Sequence, residues 1–246
     1  MNCKSCLLCM LFAVIPAELF TAEYQDTLST WLIPLREALY EEEGSPDIIY
    51  PLYTAAKTTI QHKLQDAEQL IELSRAEYFM GRVYQLHKQN DKALHCYQIG
   101  YKNAEDSIAQ QETSSGWEML SAHLGQMCMI KSKAWVMAHG LDVERFAKNA
   151  LKLNANNVTA QYMIASRWVY APWPFNNTEK GITMMFDILN AGASKQKDDL
   201  FNLYVALAYG YLRDKKKQEA RIWLDKALSI YPTNKFAGVE LKTQCE

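Results

Sequence analysis

Glycine and proline are scarce in this chain of 246 residues, ten and seven in all, and most of them fall between segments of helical periodicity. That excludes collagen-like and low-complexity architectures, which need one or both in quantity. Strict apolar–polar alternation is nearly missing beyond residue 25, so no sheet is expected. A basic surplus is missing too: 26 Lys and Arg face 28 Asp and Glu, for a formal net charge of −2. The densest basic run, Lys215-Lys216-Lys217, lies between Asp214 and Glu219 and reads as a solvated turn. Phosphate-backbone binding needs more than that, and no nucleic-acid partner is expected.

Cysteines are too few and too scattered for a disulfide scaffold. Cys3, Cys6 and Cys9 crowd the start, while Cys96, Cys128 and Cys245 lie far apart and are expected to pack as small apolar groups. The histidines at 62, 87, 95, 123 and 139 form no His-Glu-x-x-His pair, and His95 and Cys96 are helix neighbours that diverge. Neither a metal nor a cofactor is expected. Phosphate loops, nucleophile elbows and paired carboxylates at strand ends are also lacking, so no enzyme is expected.

Long hydrophobic runs are lacking except at the very start. Lys4, the apolar stretch Leu7 to Ala17 and the small pair Thr21-Ala22 follow the order of a secretory signal peptide. At 11 residues the stretch is short for a bilayer span. Residues 1–22 are therefore expected to be a signal peptide or an N-terminal anchor. Export to the periplasm or beyond follows from that, with a cytoplasmic chain as the alternative. Membrane contact is expected only through this leader, if it stays uncleaved.

What the mature chain does have is apolar residues recurring every three or four places, with 49% of residues hydrophobic. The last segment carries the most specific pattern: Tyr204-x2-Leu207-Ala208-x2-Tyr211, then Ala220-x3-Leu224-x2-Ala227, then Pro232. Small residues at 208, 220 and 227 let two antiparallel helices approach closely, and the large ones fill the space beside them. Pro232 stops the second helix. This pattern resembles the tetratricopeptide repeat (TPR). Weaker copies are Met80-Gly81-x2-Tyr84 with Ala93-x3-Tyr97-x2-Gly100, Leu124-Gly125-x2-Cys128 with a helix ending at 157, and Ile164-Ala165-x2-Trp168 with a helix from Thr178. The small residues at 81, 125, 165 and 208 are 44, 40 and 43 apart, against about 34 in the family. The extra length is expected in a first helix stretched from Trp117 toward His139, and in the insertion from Ala171 to Asn177.

The expected architecture is all-α: stacked antiparallel helix pairs in about four TPR-like units plus helical caps. The pairs are placed at about 74–106, 117–156, 158–190 and 199–232. Residues 23–73, read as helices at about 26–43 and 47–72, form an N-terminal cap, and 233–246 a capping tail.

The resemblance implies a non-catalytic scaffold that binds a protein or peptide in the groove lined by the first helix of each pair. There it places Arg75, Tyr78, Arg82, Gln85, Tyr162, Asn202, Tyr209 and Arg213. The Lys and Asn set of the family's carboxylate clamp is not reproduced, but Arg beside Tyr suits acidic or aromatic groups. A second candidate is the insertion Pro172-Trp173-Pro174-Phe175, whose apolar side chains must be buried or used. Either they fold back over the third unit, or they form an aromatic lip with Arg167 and Trp168 below. Export and extended repeats are similar to TPR proteins associated with bacterial TRAP-type solute transporters. That implies an alternative function, a small-molecule-binding accessory protein.

Overall fold

The computed structural model describes residues 24–42 and 44–245, and the expected leader at 1–22 lies outside the described residues. The described chain is helical, with no strand among the described residues. Two helices come first, α1 (Ile33–Tyr40) and α2 (Pro46–Lys63). Four antiparallel pairs follow: α3 (Asp66–Leu86) with α4 (Asn90–Gln110), and α5 (Ser114–Ile130) with α6 (Lys133–Leu153). The third and fourth are α7 (Val158–Tyr170) with α8 (Thr178–Asn190), and α9 (Lys197–Arg213) with α10 (Lys217–Ile230). A π-helical turn (Phe236–Leu241) and the short α11 (Lys242–Cys245) end the chain.

Short polar caps punctuate this order. Thr113, Ser132, Asn157 and Asn177 each accept a hydrogen bond from the backbone N–H three residues on, satisfying donors that helix starts leave orphaned. The fourth pair begins with Asp199 accepting from the N–H of Gln196 at 3.0 Å. Lys88 and Lys215 take positive φ just past α3 and α9, giving two pairs similar tight turns.

Boundaries differ from the expected ones where the sequence pattern is weakest. The helix expected over 47–72 breaks at Leu64-Gln65, so the first pair starts at Asp66. The first helix of the second pair stops at Ile130 instead of running toward His139, because Ser132 caps a new helix; the extra length belongs to α6, with 21 residues. The helix expected from Thr178 does begin there, capped by Asn177.

The small residues do bring helices together, with one exception. A Cβ on Gly81 would lie 2.5 Å from the Tyr97 ring, and one on Gly181 2.5 Å from Val169. Ala165, Ala208, Ala220 and Ala227 are fully buried. Gly125 is only half-buried, and a Cβ there would meet Val143 alone, at 3.8 Å. The close approach in that pair lies one turn earlier. Ser121 is fully buried and donates its hydroxyl to the Val143 carbonyl at 2.8 Å.

Candidate functional site

The first helices α3, α5, α7 and α9 pack in succession along the inner side of the stack. In an open solenoid that row would line a groove. Here α1 lies between its two ends. It packs on α3, and on its other side Tyr40 stacks against Tyr231 at 5.0 Å and meets Phe201 edge-on at 5.5 Å. Asn202 donates to the Tyr40 hydroxyl at 2.9 Å, and Asn234 to the Tyr40 carbonyl at 2.8 Å. Glu37 pairs with Lys197, and Arg36 approaches Asp198 at 3.5 Å. One apolar core consequently runs from α1–α4 into α9 and α10. The inner row is closed into a ring of five helices.

Polar side chains inside the ring are sorted by depth. Toward the starts of the first helices stand Glu72, Glu118, Asp198 and Asp199, with Arg75 and Arg36 among them. Arg75 pairs with Glu72 at 2.6 Å and reaches Ser115 at 3.3 Å. Arg36 forks onto Asp26 at 2.9 and 2.6 Å. Burial raises the Asp198 carboxyl, and neighbouring Asp199 adds to the rise against the pull of Arg36. Burial likewise raises Asp199 and Glu118. Acids near helix starts and cations nearer helix ends also suit the helix dipoles.

Two turns along α3, about 10 Å away, the character changes. Arg82 is half-buried, and its guanidinium donates to the Tyr78 hydroxyl at 3.2 Å. No carboxylate lies within ion-pair distance of it among the described residues. Its electrostatic neighbours are the phenols of Tyr78, Tyr40 and Tyr97, and its field also reaches Tyr162 and Tyr170. Burial pushes Tyr162 up to about 12 and lifts Tyr40 and Tyr170 well above the ordinary phenol value. These hydroxyls therefore stay protonated near neutral pH. A fixed positive charge beside neutral O–H donors, with no paired carboxylate among the described residues, is a setting that favours an anionic group.

Of the groove residues expected from sequence, Arg75, Tyr78, Arg82 and Tyr162 gather inside the ring, Asn202 supports Tyr40, and Tyr209 packs on Tyr170 at 4.9 Å. Two serve the scaffold. Gln85 accepts from the Tyr97 hydroxyl at 2.6 Å, and Arg213 donates to the carbonyls of Val169 and Ala171 at 2.7 and 3.0 Å, capping the end of α7. The residues that sequence reasoning missed are Arg36, Tyr40, Glu118, Tyr170, Asp198 and Asp199. Tyr170 follows Tyr162 by two turns and could have been found from that spacing. Arg36 and Tyr40 could not, because α1 matches no repeat pattern.

The aromatic insertion does not fold back over the third unit. Trp173 is 85% and Phe175 66% exposed. Trp168 is half-buried between two cations, Arg167 at 4.9 Å and Lys180 at 3.8 Å from its ring centre, and Arg167 also pairs with Glu144.

No family model matches the chain, and no curated protein does either. Among solved structures it is similar to TTC0263, described as a thermophilic TPR protein of Thermus thermophilus. The two share 19% identity over 87% of this chain and 98% of that one, with a TM-score of 0.55. A second similar structure is YrrB, described as a TPR protein with an unusual peptide-binding site, at 14% identity over 84% and 88% of the two chains and a TM-score of 0.37. The first of these likenesses establishes the fold as an all-α, TPR-like stack of helix pairs.

Proposed function

We propose that this chain is a non-catalytic interaction scaffold that works outside the cytoplasm and holds an anionic group of a protein or peptide partner inside its helical ring. The observation that carries the reading is Arg82: a half-buried guanidinium surrounded by tyrosines and paired with no carboxylate among the described residues. Burying a charge without a counter-ion is costly, and a ligand that supplies one recovers that cost. The TPR-like fold agrees with a partner-binding role. Placement outside the cytoplasm rests on the apolar leader of the sequence.

Closure of the ring by α1 supports a second reading, in which the occupant is a small acidic molecule delivered to or from a transporter. A closed ring restricts lateral access for a long peptide far more than an open groove does. One experiment separates the two. Acidic and neutral synthetic peptides are titrated into the full chain and into Arg82→Met, while gently purified protein is weighed by native mass spectrometry. The scaffold reading expects acidic peptides to bind and Arg82→Met to weaken them at least about tenfold, the scale of a charge-assisted pair. A retained small acid that disappears in Arg82→Met, without peptide binding, establishes the second reading instead. Peptide affinities indifferent to charge and to Arg82 would sink both.

A further inference from the structure

The edge of the stack formed by the turns within each pair differs in composition from the rest of the molecule. Because every pair is antiparallel, the turns at 87–89, 131–132, 171–177 and 214–216 share one edge. Residues 86–92, 129–141, 169–180 and 212–219, which make it up, hold nine Lys and Arg against four Asp and Glu, in a chain whose net charge is −2. The same edge bears the four most exposed large apolar side chains among the described residues, Trp173 at 85%, Met137 at 84%, Met129 at 73% and Leu141 at 70%, and also Phe175 at 66%.

Their arrangement is set by packing. The Arg167–Glu144 pair fixes the level of α7 against α6. Ala171, where the insertion begins, and Leu141 each lie about one turn from that pair along their own helices. The apolar groups thus cluster on two neighbouring tips, with lysines at 131 and 133 on one side and at 215–217 on the other. A partner helix lying along its length would meet one tip at a time. A deformable interface that takes up aromatic and Met side chains and carries negative charge would meet both tips and both lysine groups together.

We propose that this edge docks on the headgroup layer of an anionic lipid bilayer, with Trp173, Phe175 and Met137 entering the interface and the turn lysines resting on the headgroups. Indole rings favour that depth because one end is apolar and the other can hydrogen-bond. Docking is peripheral; no described helix is long and apolar enough to cross a membrane. The described chain begins at the opposite edge, where the N–H of Gln25 donates to the Lys195 carbonyl at 3.0 Å in the turn between α8 and α9.

The test sediments the full chain with vesicles of phosphatidylcholine alone and of phosphatidylcholine with phosphatidylglycerol, at low and high salt. Three proteins are compared: wild type, W173A/F175A and K215E/K216E/K217E. All the changed side chains are exposed, and circular dichroism checks that the fold is kept. Expected are binding to anionic vesicles that weakens with salt, a drop of at least about tenfold in W173A/F175A, and a comparable drop in the charge variant. Equal binding to both vesicle types, or no binding, overturns the proposal. So does binding that W173A/F175A retains, which would trace to residues 1–23, and so does lipid-independent self-association that the same double change removes.

Discussion

Single residues set how this molecule answers to pH, and two of them pull in opposite directions. His123 is fully buried; its Nε2 sits 2.9 Å from the Ser74 hydroxyl, and burial depresses it to about 3. Its folded-state value lies below the ordinary one, so its contribution is complete above about pH 6.5 and fades as pH falls. Asp198 behaves the other way. Burial and the neighbouring Asp199 push it up to about 7, so its contribution is complete below about pH 4 and fades as pH rises through 7. Below about pH 6.5 the two slopes oppose each other, and between pH 6 and 8 that of Asp198 dominates. Asp198→Asn removes one of them and should leave a chain whose stability gains about 1 kcal/mol on wild type across that interval. Urea unfolding of both proteins at the two pH values reads the difference; parallel pH profiles would show that Asp198 is not held protonated by its surroundings. His123 also explains Gly100. Its ring occupies the space a Cβ there would need, so Gly100 is kept small by a histidine from the next pair.

At the scale of the helix pair, legibility followed the density of small residues. The fourth pair could be read directly because Ala208, Ala220 and Ala227 are all fully buried contact points at the spacing close packing demands. Ala208→Leu should therefore overpack that pair, cost about 1–3 kcal/mol and lower the melting temperature; an unchanged transition would mean that the register is different. The second pair misled for a physical reason. Gly125 looks like the small residue of the pattern, but Ser121 makes the close approach, because a hydroxyl that bonds the facing carbonyl tolerates the same short distance. A loop gives no periodic signal at all. Trp173 and Phe175 announced themselves only by being apolar where polar residues are usual, and from sequence they could equally have been packing.

The whole molecule differs from a stack of independent pairs, and this part was not legible in the sequence. Tyr40 and Tyr231 are 191 residues apart, and nothing in either segment marks them as partners. Yet α1 joins the first pair to the last through the Tyr40–Tyr231 stack, Asn202, Asn234 and the Lys197–Glu37 pair. In an open repeat array each unit feels only its neighbours, and damage at one end stays there. Closure couples the ends. Tyr40→Ala removes a buried ring and should cost about 3 kcal/mol, as other buried aromatic truncations do. The telling readout is where protection is lost. Hydrogen exchange should speed up in α1 and also in α9, α10 and residues 231–235, while α5 and α6 change little. If the loss were confined to α1 and α2, the first helix would be a passive cap, and the inner face would have to be treated as an open groove with room for a long peptide. Loss at both ends would tie access to the Arg82 site to the closing helix, since that site's Tyr40 wall would then exist only in the closed ring.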